Sequence, residues 1–142
     1  MNRLARLRRE EGYTLTELLV VLAILAFLAA IATPAVLKYL DSAKFSTAKT
    51  EIANISAGLD LFKYDVGRYP TTDEGLGALM KAPPGVEDWN GPYLKKNTTL
   101  NDPWKHPYKY RSPGEHGDYD LYSYGPDGDK AGSDSKPAVA NW

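Results

Sequence analysis

The sequence predicts an α+β fold: one long N-terminal α-helix, membrane-spanning in its first half and amphipathic in its second, then a small antiparallel β-sheet with a candidate calcium-binding loop. Two observations predict the helix, namely an uncharged apolar run from Leu18 to Leu37 and a later series of apolar residues at helical spacing. A third observation predicts the sheet, because short aromatic runs bounded by proline, glycine and aspartate fill the second half of the chain.

The apolar run is long enough to cross a bilayer. About twenty residues that each rise ~1.5 Å match the ~30 Å hydrocarbon core. The run follows arginines at positions 3, 6, 8 and 9, which places the N-terminus in the cytoplasm by the positive-inside bias. Glu17 stands at its start, and a carboxylate inside hydrocarbon costs about 2.5–3.5 kcal/mol, so Glu17 is a functional candidate that needs a partner.

Three interpretations of this segment fit the pattern. A cleaved secretory signal has a small-residue site at Ala30-Ile31-Ala32 that would leave Thr33 first, although apolar regions of signals are usually ~7–15 residues long. A plain membrane anchor explains the length of the run but not Glu17. A processed helix that is competent for assembly explains both, and it is the interpretation that we favour.

The helix is predicted to continue in water beyond the membrane. One buried stripe is expected from five apolar residues at intervals of three and four: Ile52, Ile55, Leu59, Phe62 and Val66. Gly67 ends the helix. Pro34 is expected to kink or locally open it, because proline removes a backbone hydrogen bond and clashes with the preceding turn.

Short elements are predicted after Gly67. A turn leads into a short helix from Glu74 to Met80, with Thr72 or Asp73 as its cap, and the Pro83-Pro84-Gly85 sequence breaks it.

Two or three antiparallel strands are then expected at Tyr93-Leu94, Tyr108–Tyr110 and Tyr119–Tyr124. The tail from Gly125 to Trp142 is predicted to be loop, with Trp142 packed against the body of the domain.

Charge and composition disfavour two classes of function. Removing residues 1–12, which carry four arginines and two glutamates, changes the net charge from −1 to −3, and this argues against nucleic-acid binding. The chain has no cysteine, and its two histidines, His106 and His116, lie in turns rich in proline and glycine and are predicted to be surface residues. Because no nucleophile stands near a base in the sequence, we predict that the protein is not an enzyme.

The segment from Asp127 to Ser135 is the best candidate binding site. Closely spaced carboxylates and hydroxyls in a glycine-rich loop are typical ligands of Ca²⁺, which takes six to eight oxygen atoms. The segment does not match an EF-hand loop, since the fifth and twelfth positions, which carry ligands in an EF-hand, are Ala131 and Ala138. A solvated turn is the alternative for this composition.

Several motifs resemble a known family. The hexapeptide Gly12-Tyr13-Thr14-Leu15-Thr16-Glu17 and the apolar run after it resemble the class III leader and N-terminal helix of type IV pilin-like proteins. Three later segments are similar to those of the major pseudopilins of bacterial type II secretion systems: Gly67 to Leu76, Asn101-Asp102-Pro103-Trp104, and Tyr119 to Gly128.

The resemblance implies how the N-terminus is processed. A prepilin peptidase would cleave between Gly12 and Tyr13 and methylate the new amine on Tyr13. Glu17 would then meet the N-terminal amine of a neighbouring subunit, and Pro34 falls where the family has its helix-opening proline. Tyr13 stands where phenylalanine is common in the family, and Thr16 where an aliphatic residue is common.

The resemblance also implies one Ca²⁺ ion in the C-terminal loop. Its ligands would be the side chains of Asp127, Asp134 and Ser135 and the backbone carbonyl of Tyr124, with Asp129 as an additional candidate.

The implied protein is a single-pass inner-membrane subunit whose N-terminus is cytoplasmic before processing and whose C-terminal domain is periplasmic. It would comprise a leader (1–12), a transmembrane helix (13–37), an amphipathic helix (38–67) and a globular α+β domain (68–142). Subunits would polymerise into a periplasmic pseudopilus whose growth, driven by a cytoplasmic assembly ATPase, exports folded proteins across the outer membrane.

The implied partners are further copies of the chain, minor pseudopilins, the inner-membrane assembly platform and prepilin peptidase, without nucleic acid. A type IV pilin and a minor pseudopilin are the alternatives within the superfamily. A membrane-anchored calcium-binding module that never polymerises is the alternative from another class.

Overall fold

One helix, α1, spans Leu15–Val66, and the computed structural model describes residues 12–130 and 136–142. The leader before Gly12 and the predicted ligands Asp134 and Ser135 lie outside the described residues. Gly67 follows the helix with a left-handed φ of 83°, and its N–H donates to the Lys63 carbonyl at 2.8 Å. The long helix and its end at Gly67 are therefore confirmed.

The chain divides into two compact units, Met1–Leu40 and Asp41–Trp142. In the described part of the first unit, α1 is exposed on all sides, and an 18-residue window of mean hydropathy 2.7 has none of its residues buried. Among the described residues this is the single helix whose length and composition suit a membrane span, although a signal sequence near the N-terminus has the same properties. The helix continues through Pro34, and the kink expected there stays a prediction.

In the second unit, α1 buries one face. Ile52, Ile55, Leu59 and Phe62 are at most 4% exposed, and Val66 packs against them from the edge of the core, which confirms the predicted stripe. The opposite side of the core is formed by residues of the later segments: Leu76, Leu79, Leu94, Tyr108, Leu121 and Val139.

Three short antiparallel strands complete the fold. They are β1 (Lys109–Arg111), β2 (Asp120–Ser123) and β3 (Val139–Ala140), in the order β1-β2-β3. Leu121, Ser123 and Val139 are buried on the sheet's inner side. The predicted α+β class with a small antiparallel sheet is confirmed.

The prediction of a strand at Tyr93-Leu94 is wrong. This segment is irregular and lies directly on α1, where a Cβ at Gly58 would stand 2.9 Å from Leu94 Cδ2. The Tyr93 N–H donates to the Leu79 carbonyl instead of to a strand. The third strand comes from Val139–Ala140, so the prediction that the whole tail is loop is also wrong. Residues Gly125–Lys130 form 3-10 turns that are joined by a kink at Gly128.

The predicted helix from Glu74 to Met80 is reduced to a 3-10 helix at Leu76–Leu79. Its predicted caps, Thr72 and Asp73, are wrong, because its N-cap is Gly75, without a side-chain cap hydrogen bond. A reciprocal pair, Thr71 and Glu74, instead closes the turn before this helix. The Glu74 N–H donates to Thr71 Oγ1 at 3.2 Å and the Thr71 N–H donates to Glu74 Oε2 at 2.8 Å, as in a capping box. Gly75, with a φ of 61°, then ends the turn before an α-helix can propagate.

Tyrosine hydroxyls tie the later segments to α1. Each donates to a helix carboxylate: Tyr108 to Glu51 at 2.6 Å, Tyr69 to Asp60 at 2.9 Å and Tyr93 to Asp65 at 2.9 Å. Burial, reinforced by the bonded carboxylate, raises the pKa of Tyr108 and of Tyr69. Glu51, Asp60 and Asp65 therefore anchor the later segments to the helix.

The buried face of α1 provides a direct test of the fold. Leu59 is fully buried and Leu61 is 55% exposed. We expect Leu59→Ala to lower the free energy of unfolding by about 2–5 kcal/mol, because it leaves a cavity in the core, and the matched control Leu61→Ala to change it by less than about 0.5 kcal/mol. Urea unfolding of the full chain in detergent, followed by tryptophan fluorescence, measures both. If the free energy of unfolding fell equally in Leu59→Ala and Leu61→Ala, the assignment of the buried face would be contradicted.

Candidate functional site

The start of α1 carries the predicted processing and assembly residues. Gly12 and Tyr13 are exposed and precede the helix without regular structure. The Thr14 N–H and hydroxyl both donate to Glu17 Oε2, at 2.9 and 3.2 Å, and the Glu17 N–H donates to Thr14 Oγ1 at 3.2 Å. These reciprocal bonds form a capping box, so Glu17 has a partner within its own chain.

Sequence reasoning missed the partnership of Thr14 and Glu17. The signal for it is the spacing Thr-x-x-Glu directly before an apolar helix, which also occurs at Thr71 and Glu74. Both bonds that Glu17 accepts from Thr14 end on Oε2, and within the described chain no donor bonds to Oε1. A cation from another molecule could therefore bind Glu17 without displacing Thr14, because a carboxylate accepts several hydrogen bonds.

The predicted metal ligands belong to the connection of residues 124–138, here called the β2–β3 loop. Tyr124 is half-buried at the start of this loop and Asp127 is exposed. Asp129 follows Asp127 on the other side of a kink at Gly128. Ser123 and Val139 form a ladder pair, and the Ala138 N–H donates to the Ser123 carbonyl at 2.9 Å. The described ends of the loop, residues 124–130 (the first limb) and 136–138 (the second limb), therefore leave the sheet at neighbouring positions.

A buried carboxylate anchors the first limb of the β2–β3 loop. Asp102, 4% exposed, accepts hydrogen bonds on Oδ1 from the N–H groups of Trp104 (3.0 Å) and His106 (2.9 Å). Its Oδ2 accepts from the Ser123 hydroxyl at 2.5 Å, and Ser123 Oγ in turn accepts from the Gly125 N–H at 2.8 Å. The Asp102 carboxylate is thus satisfied by three donors, and it fixes where the loop leaves β2.

His106 also holds the first limb. Its Nδ1 lies 3.2 Å from the Gly125 carbonyl oxygen. Gly128 has a left-handed φ of 48°, and a Cβ there would stand 2.4 Å from His106 Cε1, so only glycine fits. His106 was predicted to be a surface residue, but it is partly covered and packs against the loop, whereas His116 is exposed as predicted.

A second buried carboxylate, Asp120, organises the turn between β1 and β2. It accepts from the N–H groups of Glu115 (2.9 Å) and His116 (3.1 Å), and its Oδ2 lies 3.3 Å from His116 Nδ1. Burial by itself raises the pKa of Asp120, but these hydrogen bonds outweigh burial and lower the pKa below its ordinary value. Sequence reasoning missed the roles of Asp102 and Asp120, because an aspartate in a turn rich in proline and glycine looks like any solvated turn residue.

The β2–β3 loop offers oxygen donors that suit a hard cation. No described residue hydrogen-bonds to the Asp127 carboxylate, which is exposed. Across residues 12–130 and 136–142, no group of three or more acidic, histidine or cysteine side chains could hold a metal. The predicted Ca²⁺ site therefore stays a prediction, since Asp134 and Ser135 lie outside the described residues.

Two protein-family models match the sequence. One, described as "Type II secretion system (T2SS), protein G", matches residues 35–142. The other, described as "Prokaryotic N-terminal methylation motif", matches residues 7–33 and so contains Gly12, Tyr13 and Glu17.

Known proteins are similar over most of the chain. The type II secretion system core protein G of Pseudomonas aeruginosa is 45% identical over 139 residues, which are 95% of this chain and 96% of that protein. The protein of the same name from Vibrio cholerae is 37% identical over 140 residues, 96% and 94% of the two chains. The crystal structure of the major pseudopilin from the type 2 secretion system of enterohaemorrhagic Escherichia coli matches with a TM-score of 0.63 and 28% identity, covering 75% of this chain and 92% of that one.

Asp120 makes the stability of the domain depend on pH. Because its folded-state pKa lies below the unfolded value of about 3.9, its contribution is complete above that pH and is lost as the pH falls through the folded-state pKa. We expect Asp120→Asn to lower the free energy of unfolding by about 1–3 kcal/mol at pH 7, with the difference from wild type shrinking below about pH 4.

Thermal melts between pH 7 and pH 2 measure this difference. Asp118→Asn is the matched control, since the Asp118 side chain is 68% exposed and its ion pair with Lys63, the one found for it among the described residues, lies at the surface. A difference between wild type and Asp120→Asn that stays constant with pH would contradict the role of the carboxylate.

Proposed function

Because the chain belongs to the type II secretion system protein G family, we propose that it is made as a precursor, cleaved between Gly12 and Tyr13, and methylated on the new amine of Tyr13. The single observation that carries this proposal is the match of residues 7–33 to the N-terminal methylation motif. The exposed, non-helical backbone at Gly12 and Tyr13 supports it, because a peptidase reaches such a segment more readily than a helix.

The chain is a structural subunit of the type II secretion pseudopilus and a membrane-anchored component of that system. Its family is one of structural pseudopilins rather than a known enzyme family. We propose the finer arrangement as well: one span through the inner membrane by residues 13–37, a cytoplasmic N-terminus before processing, and a periplasmic domain. Fibre growth would then push folded proteins through the outer membrane, with minor pseudopilins, the assembly platform and prepilin peptidase as partners.

Glu17 is proposed to select the correct position of each new subunit. In the free chain its Oε2 is hydrogen-bonded to Thr14, which reduces the cost of holding a carboxylate at the membrane. In the fibre, the amine of Tyr13 from a neighbouring subunit would bind the remaining oxygen. A subunit in the wrong position would leave both charges unpaired among packed apolar helices, and such a defect costs about 3–5 kcal/mol.

Fibre assembly tests this role. In a host with prepilin peptidase and the assembly platform, we expect Glu17→Gln to be cleaved and methylated normally but to lower the yield of sheared fibres more than about tenfold, because the amine loses its ionic partner. The exposed carboxylate of Glu87 provides a matched control, and Glu87→Gln should assemble like wild type. Intact mass spectrometry and electron microscopy measure processing and fibres.

Each alternative has its own outcome in this experiment. A wild-type chain that begins at Thr33 would be a cleaved secretory protein, and an uncut chain in a host with active peptidase would be a plain anchor. A processed chain that yields no fibre would be a non-polymerising module. If Glu17→Gln forms fibres at the wild-type yield, the proposed pairing of Glu17 with the amine of Tyr13 is wrong. The proposed processing and polymerisation would not be affected by that result.

We also propose that the β2–β3 loop binds one Ca²⁺ ion. The ligands would be Asp127, Asp134, Ser135 and the Tyr124 carbonyl, with Asp129 as an additional candidate. Support comes from the oxygen-rich composition of the loop, the exposed carboxylate of Asp127 and the closure of the loop by the Ser123–Val139 pair. When bound, the ion would hold the two limbs together in a chain that has no disulfide to do so.

Calcium binding is tested by thermal melts of the full chain in detergent. We expect Ca²⁺ to raise the melting temperature of wild type and chelation to reverse the rise, because a ligand that binds only the folded state stabilises it. Asp127→Asn should abolish most of the rise and leave the melt in chelator unchanged, since Asp127 is exposed. Asp73→Asn, another exposed carboxylate, is the control, and an undiminished rise in Asp127→Asn would contradict the ligand assignment.

A further inference from the structure

The small sheet carries an open groove on the side of β2 that bears Tyr122. Leu121 and Ser123, its neighbours in the strand, are buried on the other side, in the core. The groove has a volume of about 640 Å³, and its walls come from α1, from all three strands and from the residues on either side of β3. Pockets that hold ligands are of similar size, roughly 300–1,000 Å³. The groove is therefore large enough to bind another molecule.

Positive charge exceeds negative charge along this groove. Lys49, Arg111 and Lys136 line it, together with two carboxylates. Both carboxylates already have partners, because Glu115 pairs with Arg111 and Asp120 accepts hydrogen bonds from backbone N–H groups. Lys49 and Lys136 are exposed, and among the described residues neither pairs with a carboxylate. The groove thus offers two uncompensated cations on a chain that has a net charge of −3 without residues 1–12.

Three aromatic rings form the apolar part of the groove. The ring of Tyr122 meets those of Tyr124 and Trp142 edge-on, with centroids 5.3 and 5.8 Å apart. Trp142 also stacks on His116, with centroids 4.0 Å apart and planes 4° apart. The His116 backbone is held by the buried carboxylate of Asp120. The rings are therefore in place before a ligand arrives, which lowers the entropic cost of binding.

One class of ligand fits this combination of groups best. Lysine and arginine bind carboxylates, and aromatic rings bury apolar side chains. A short acidic peptide with apolar residues supplies both on one chain, and alternate side chains of an extended peptide point to the same side. A free phosphate ion would leave the rings uncovered, and the negative net charge of the chain disfavours a nucleic acid.

We propose that this groove binds an extended acidic peptide segment of another protein. Lys49 from α1 and Lys136 from the second limb of the β2–β3 loop bind its carboxylates. The rings of Tyr122, Tyr124 and Trp142 contact its apolar side chains. The inference goes beyond the proposed function, since it requires neither fibre assembly nor a bound ion.

The test uses the full chain in a non-ionic detergent, with the peptide Glu-Phe-Glu-Phe-Glu as the probe. Isothermal titration measures the dissociation constant, and changes in amide chemical shift locate the bound peptide. We expect shifts at Tyr122 and Ala140, and weaker binding at high salt because salt screens exposed charges. The double variant Lys49→Gln/Lys136→Gln should bind about five- to tenfold more weakly, since it loses two exposed ion pairs. The peptide Glu-Ser-Glu-Ser-Glu should also bind more weakly to wild type, because it has no apolar side chains.

The matched control is Lys95→Gln/Lys96→Gln, which removes the same charge from two exposed positions outside the groove and should bind like wild type. Equal weakening in the two double variants would overturn the proposal, because binding would then depend on net charge alone. Equally tight binding of the uncharged peptide Gln-Phe-Gln-Phe-Gln, or no binding by wild type, would overturn it as well.

Two further outcomes would assign the groove to another occupant and so contradict the proposal. Displacement of the peptide by an equal concentration of inorganic phosphate would make the groove a simple anion site. Shifts at Tyr122 and Ala140 that change with protein concentration, without peptide, would make it a contact between copies of this chain.

Discussion

The face of α1 from Ala48 to Phe62 must be covered, and the rest of the second unit depends on that requirement. The face is almost entirely buried, yet among the described residues after α1 no long element packs on it. Coverage comes from a 3-10 helix, an irregular segment around Leu94 and three strands of two to four residues. Gly58 lets the Leu94 segment approach the helix backbone closely. A thin layer of this kind buries little apolar area for each residue that it orders.

Polar interactions compensate for the thin core. The turns of this layer are built around carboxylates that accept backbone N–H groups, as at Glu74, Asp102 and Asp120. Arg68 binds both carboxylate oxygens of Glu74, at 2.7 and 2.8 Å, and this pairing lowers the pKa of Glu74 to about 2. These carboxylates accept hydrogen bonds from backbone N–H groups that have no partner in the sheet. They hold the loops of a chain that has no cysteine and therefore no disulfide to hold them.

The sequence was sufficient to predict the elements in which apolar or aromatic residues recur at regular intervals. The helix, its stripe and its end at Gly67 follow from spacing and from one glycine, and the β2 region follows from its aromatic run. Val139–Ala140 could not be predicted, because two residues are too few to show the alternation of a strand. Tyr93-Leu94 has strand composition but lies against α1, so tertiary packing overrides its local preference. The Thr14–Glu17 and Thr71–Glu74 capping boxes could have been found from sequence, whereas the networks of Asp102 and Asp120 join segments that only the fold brings together.

The fully exposed apolar surface of α1 in the first unit has a consequence for how a subunit travels. A cylinder of about twenty apolar residues has no stable state in water, since its transfer from lipid to water costs about 25 cal/mol for each Å² exposed. None of the residues in this stretch is buried. A subunit therefore has no stable way to carry this surface through water. At every stage the surface must be covered by lipid or by the apolar surface of other subunits.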